Sequence, residues 1–168
     1  MRICTVRVSR KNELLAQVNS ITIEIPGEPT PKGRPRFNRV TGSVYTPKKT
    51  ESAEKFASLC ARQVMKKSSR GVISGPCMLQ LWVFCRVPKS WPKKKREIAL
   101  KNEIRPATKT GDLDNFIKLV SDAFNGIVYD DDSQIVTLSA AKFYAEEPAI
   151  IAEITPLKST FAEQRVAA

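Results

Sequence analysis

The sequence predicts a single α+β domain, an α/β architecture in which a mixed β-sheet packs against helices. Three observations carry this expectation. Ile21, Ile23 and Ile25 alternate with polar residues, the period of a strand with one buried face. Residues 48–67 repeat apolar side chains at three- and four-residue steps, the period of a helix. Residues 78–87 are almost continuously apolar and rich in β-favouring types, as expected of an interior strand. A chain of 168 residues buries about 70% of its unfolded surface as one domain and needs no disulfide to fold.

Taken in order, residues 1–19 carry Arg2, Arg7, Arg10 and Lys11 among isolated apolar residues and lack the apolar core of a secretory signal. They read as an N-terminal extension, either a basic arm or a frayed end; residues 20–155 read as the domain proper, and residues 156–168 as a C-terminal tail. The first strand stops at Pro26-Gly27. Residues 29–49 then gather Lys32, Arg34, Arg36, Arg39, Lys48 and Lys49 among prolines, with Phe37 and Tyr45 between them. Thr41-Gly42 is the expected turn of a hairpin with arms 36–40 and 43–46. Guanidinium groups bond phosphate oxygens in pairs, and a proline-stiffened loop loses little entropy on binding, so this stretch reads as a DNA-binding surface. Phe37 and Tyr45 are either platforms for an unpaired base or side chains folded inward.

In the helix that follows, Ala53, Phe56, Ala57, Cys60, Ala61 and Val64 form the apolar stripe, which is core packing and claims no chemistry. Residues 68–76 break the chain before the strand that contains Trp82, Val83 and Phe84. Residues 88–105 surround Trp91 with Lys89, Lys93, Lys94, Lys95, Arg96 and Lys101. Ser90 or Trp91 ahead of Pro92 starts a short basic helix. This second positive patch is either a solvated face or a phosphate contact beside the motif that follows. Residues 105–111 are a flexible approach to that motif. Residues 135–143 and 149–154 close the domain as strands joined by a turn at Glu146-Glu147-Pro148.

Charge narrows the partner. Lys plus Arg number 28 against 17 Asp plus Glu, a formal net charge of +11, which points to a polyanion, nucleic acid ahead of membrane. No apolar stretch approaches the ~20 residues of a spanning helix, so no membrane is expected; with a polyanion as partner, no small-molecule substrate is expected either. Cys4, Cys60, Cys77 and Cys85 have no CxxC spacing, and three lie in apolar surroundings, which suggests reduced thiols and a cytoplasmic location. Histidine is absent. That excludes Ser-His-Asp and Cys-His nucleophiles, histidine-based nuclease motifs and the usual zinc catalytic sites. Carboxylates, lysine and a metal remain.

Those groups converge in GDLDNFIKLVSDAFNGIVYDDDSQIV, residues 111–136. Asp112 and Asp114 share one side if the segment is extended. If Asp114 caps a helix, Lys118 and Asp122 follow up one face while Phe116, Ile117, Val120 and Phe124 form the buried side. Asn125-Gly126 stops the helix, and Asp130, Asp131 and Asp132 follow a short apolar run. Carboxylates on both sides of a helix suit a hard divalent cation, which takes one or two of them together with water and phosphate oxygens. The plainer reading is an N-cap, a surface ion pair and an Asp-rich turn.

GDLDNFIK followed by DDSQIV resembles the RusA-type Holliday junction resolvases, a largely prophage-associated family, over about residues 21–154. The resemblance implies a magnesium-dependent homodimeric endonuclease of mixed α/β fold that acts on four-way DNA junctions. It implies Asp112, Asp114 and Asp132 as catalytic metal ligands, Asp131 as a neighbouring acid that assists with the metal, and Lys118 as the catalytic lysine. Two local departures stand out: Asp130 adds a third acid where a bulky residue is common, and Gly111 replaces a basic residue or proline.

Two other classes compete. A phosphohydrolase with a D-x-D nucleophile has that motif at the end of an apolar strand, whereas residues 107–111 are polar. A non-catalytic or flap-specific DNA-binding protein with a structural metal site is the other. An EF-hand is excluded, since its sixth and twelfth positions fall on Ile117 and Ala123, or on Ile135 and Ala141, and not on glycine and glutamate.

Overall fold

Alternation in the first strand is realised residue by residue. In β1 (Ile21–Pro26) the three isoleucines are buried and their neighbours exposed. The computed structural model describes residues 20–37, 39–40, 42–107 and 110–158; the expected N-terminal extension at 1–19 lies outside them, as does the tail beyond 158. Along the chain, β1 is followed by β2 (Arg36–Phe37), β3 (Val44–Tyr45), α1 (Lys48–Ser68), β4 (Cys77–Arg86), α2 (Lys93–Leu100), α3 (Leu113–Phe124), a single 3-10 turn at Asp132–Gln134, β5 (Ile135–Ala145) and β6 (Ala149–Pro156).

Four strands form one sheet in the order β1-β6-β4-β5, and β2 with β3 form a separate hairpin. The pairs β1·β6 and β4·β6 are antiparallel, while β4·β5 is parallel, with Leu79 opposite Leu138 and Cys85 opposite Tyr144. The sheet is mixed, as the sequence led one to expect. A parallel pair needs a long crossover, and here the crossover contains both α2 and α3. The motif helix therefore lies in the connection between two neighbouring strands.

Odd-numbered residues of β4, from Cys77 to Cys85, are buried and join Ile21, Ile23 and Ile25, Ala57 and Ala61 of α1, and Phe116, Leu119, Val120 and Phe124 of α3 in one core. Burial of these side chains contributes on the order of 1.5–3 kcal/mol for each large one. Ser58 Oγ donates to the Ala123 carbonyl at 2.8 Å, which ties α1 to α3. Cys77 and Cys85 are buried free thiols and Cys60 is half-buried; burial pushes all three thiols up from their ordinary pKa. No helix among the described residues is long and apolar enough to cross a membrane.

Candidate active site

The motif helix begins two residues earlier than its sequence suggests. Asp112, not Asp114, is the residue before the first helical turn, extended at φ −78° and ψ 144°, and its carboxylate makes no capping bond. Asp114 lies inside the first turn, so the two carboxylates are not alternate residues of one strand. A carboxylate in the first turn is favoured by the helix dipole without any direct bond. Both side chains are exposed, and neither has a hydrogen-bond or ion-pair partner among the described residues. Here the plain N-cap reading fails, because capping would have used one of them.

The backbone leading into Asp112 is held from three sides. Gly111 has φ +84°, and a Cβ there would stand 2.8 Å from Pro31 Cγ and 3.2 Å from Phe116 Cζ, so only glycine fits. Lys142 of β5 donates to the Gly111 carbonyl at 2.7 Å and to Thr110 Oγ1 at 3.4 Å. Asn115 O accepts from the Lys32 backbone N–H at 3.0 Å. Lys142 escaped the sequence reading; its signal was a lone lysine in the otherwise apolar run Ala141, Phe143, Tyr144, where a buried-side cation needs a partner. Gly111 has its reason in the close approach of Pro31.

The later aspartates divide their work. Asp131 caps the 3-10 turn: its Oδ1 accepts from Ser133 N at 2.9 Å, while Gln134 Oε1 accepts from Asp131 N at 2.9 Å, a reciprocal capping box. The bond from Ser133 holds the Asp131 carboxyl below the usual range. Gln134 Nε2 also donates to the carbonyls of Ile73 and Gly75, fixing the turn to the segment that leads into β4. Asp130 is exposed, and its backbone N–H donates to Ile73 O at 3.3 Å. Asp132 is half-buried; its carbonyl accepts from the Ile135 N–H, while its carboxylate has no hydrogen-bond or ion-pair partner among the described residues.

Asp132 stands beside the C-terminal half of α3. The Tyr129 hydroxyl donates to Ser121 O at 3.0 Å; burial, with Asp132 and Asp122 nearby adding to it, raises the phenol far above its ordinary pKa. Asp112 and Asp114 sit at the opposite end of that helix, which at 12 residues is about 18 Å long. Within one chain the two acidic clusters therefore lie toward opposite ends of α3. Among the described residues no three carboxylate or thiol groups are close enough to hold one ion.

Lys118 is 64% exposed and its Nζ lies 3.7 Å from Asp122 Oδ1, the surface ion pair that plain helix spacing predicts. The other Asp122 oxygen is taken by Lys32, whose Nζ also pairs with Glu54 Oε1 at 2.5 Å. Burial lowers the Lys32 pKa, but Asp122 and Glu54 more than offset it, and the net direction is upward. Lys32, expected on the DNA-binding surface, therefore spends its charge joining α1 to α3.

The remaining cations are exposed. Arg34, Arg36 and Arg39 flank or form the hairpin, Lys48 and Lys49 open α1, and Lys93, Lys94, Lys95 and Arg96 open α2. Neither helix has a side-chain cap at its start. Cations in a first turn oppose the helix dipole, an arrangement that a bound anion relieves. Lys95 Nζ lies 4.1 Å from the centre of the Trp91 ring, and Trp91 meets Tyr144 edge-on at 5.2 Å, which anchors α2 to β5.

Carboxylates unpaired among the described residues on a fixed helix start, an exposed lysine one turn on, and cationic helix and hairpin surfaces are the equipment of a phosphodiester-cleaving nuclease. The chain belongs to the RusA endodeoxyribonuclease family, whose description, Endodeoxyribonuclease RusA, it matches over residues 26–155. It is thereby a nuclease that resolves Holliday junctions. It is also 39% identical over 137 residues to the uncharacterized protein YqaN of Bacillus subtilis (strain 168), covering 79% of this chain and 94% of that one.

Proposed function

We propose that this chain, with residues 20–155 as its catalytic domain, is a cytoplasmic, magnesium-dependent resolvase that cuts four-way DNA junctions symmetrically as a two-fold homodimer during recombination and repair. The observation that supports it most directly is the pair Asp112 and Asp114, left without partners among the described residues at a rigidly held helix start. Two exposed oxygen donors fit magnesium, which keeps several waters and completes its shell with substrate oxygens. Asp112 and Asp114 would hold the ion, with Asp132 as a further ligand; bound there, it supplies a Lewis acid for the phosphoryl oxygen and an activated water.

The chain's own groups do the rest. Lys118, on the exposed side of the same helix, offers its ammonium to the charge that builds on the phosphate. Arg34, Arg36, Arg39, Lys48 and Lys49, and separately Lys93, Lys94, Lys95 and Arg96, hold the flanking phosphates. Asp131 serves the site by capping the turn that presents Asp132, and not as a ligand.

Asp132 lies toward the far end of α3 from Asp112 and Asp114, so a second copy is the natural source of the missing carboxylate. A two-fold dimer then builds two composite sites, one for each strand to be cut. Mixing two inactive variants tests this. Asp114→Asn and Asp132→Asn homodimers should each fail to cut, while their mixed dimer contains one composite site with every carboxylate intact and should nick a labelled junction once. Absence of any nicking in verified mixed dimers would place all the ligands in one chain.

A further inference from the structure

We propose that the β2–β3 hairpin is a base-stacking surface that recognises unstacked bases at a DNA branch point, with Phe37 as its principal platform and the hairpin arginines holding the adjoining phosphates. The inference rests on DNA junctions being the substrate. Register settles which side chains share a face. Residues directly opposite in an antiparallel pair point the same way, so Phe37 lies with Val44 on one face and Arg36 with Tyr45 on the other. None folds inward: Phe37 is 63% exposed, Val44 68% and Tyr45 47%.

Such a surface is costly in water. A two-stranded hairpin alone is marginally stable, and this one forms a sheet of its own with two residues in each strand. Its apolar face gains nothing from the core. A partner that covers it must tolerate the charge beside it, and between Glu28 and Glu51 every charged residue is a cation: Lys32, Arg34, Arg36, Arg39, Lys48 and Lys49. A second copy of the same face would be repelled. Nucleic acid supplies both complements, phosphate for the guanidinium groups and a flat apolar ring for the phenyl group. Bases inside a continuous duplex are already stacked on one another, so only a branch, an end or a single strand offers a free ring face. The hairpin therefore contributes selectivity for the branch, where the arginines alone contribute affinity for any DNA.

The test compares affinities for a four-way junction and for a linear duplex of the same sequence, by fluorescence anisotropy in EDTA. Phe37→Ala should weaken junction binding about tenfold while leaving duplex binding unchanged, and Phe37→Tyr should restore it. Arg36→Ala should weaken both ligands and lower the salt dependence of each. Because Phe37 is exposed, the melting temperature should not move. If wild type prefers the junction and Phe37→Ala prefers it equally, or loses both ligands alike, the stacking role is overturned. A wild type with no preference for the junction overturns the substrate reading as well. A changed mass of Phe37→Ala in light scattering would instead assign the face to contact between copies.

Discussion

Gly111→Ala is the sharpest probe of how the site is held, because two separate costs meet at one atom. At φ +84° an L-residue costs about 1–2 kcal/mol. The added methyl would also stand 2.8 Å from Pro31 Cγ, 3.1 Å from Pro31 Cβ and 3.2 Å from Phe116 Cζ, and overpacking of this kind costs a further ~1–3 kcal/mol. Gly126 provides the control: its φ is +66° and a Cβ there meets nothing within 4 Å, so Gly126→Ala carries only the first cost. For a chain of this size each kcal/mol lowers Tm by about 2–4 °C. Gly111→Ala should therefore melt roughly 5–15 °C below wild type and well below Gly126→Ala. Pro31→Ala removes the Cγ, so adding it to Gly111→Ala should return about 1 kcal/mol in a double-mutant cycle. Since Asp112 follows directly, single-turnover cleavage by Gly111→Ala should fall by about 10-fold or more at a temperature where it is fully folded. Equal losses of stability in Gly111→Ala and Gly126→Ala, or no coupling with Pro31→Ala, would refute the reasoning.

Lys32→Met should destabilise the fold by about 1–3 kcal/mol in urea unfolding, between the values for exposed and buried ion pairs, because Glu54 and Asp122 lose their shared cation. The Lys32 pKa is raised in the fold, so this contribution is fully present below the ordinary lysine value of 10.5 and is lost as pH rises through the folded value; the gap between wild type and variant should be constant from pH 6 to 9 and close only above pH 10.5. Asp131→Asn should retain junction cleavage, since asparagine can cap the turn equally well, whereas Asp132→Asn should abolish it; the reverse order in a gel assay would exchange their roles. Replacing Lys94 and Lys95 together should reduce the slope of log affinity against log salt by roughly 1–2 units, and an unchanged slope would assign both to the solvated surface.

Local periodicity made most of the fold readable. The alternation of Ile21, Ile23 and Ile25, the helical stripe through Ala57 and Ala61, and the apolar run of β4 each report burial against a single neighbouring layer, which sequence records directly. The hairpin was readable for the same reason, from a turn between two short extended arms, although its strands are only two residues long. What periodicity does not record is pairing between distant segments. The parallel register of β4 and β5, the reach of Lys142 back to Gly111 and the capture of Lys32 by Glu54 and Asp122 all join residues far apart in the chain. In the site, chemistry was legible through residue type and spacing, but position was not. The start of α3 lay at Asp112 because a helix dipole accepts a first-turn carboxylate at Asp114 without a capping bond. Nothing local could show that α3 separates the two acidic clusters, since that depends on how residues 125–131 fold back along it.

On the proposed function, the carboxylates of α3 and the following turn cut DNA at a branch. Its most direct test is a single-turnover assay with an end-labelled four-way junction and a linear duplex of the same sequence, each with magnesium and with EDTA, for wild type and Asp114→Asn. Wild type should make paired symmetric nicks in the junction with magnesium, none with EDTA and none in the duplex, while Asp114→Asn binds the junction without cutting it. Undiminished cleavage by Asp114→Asn, or equal cutting of junction and duplex by wild type, would contradict it.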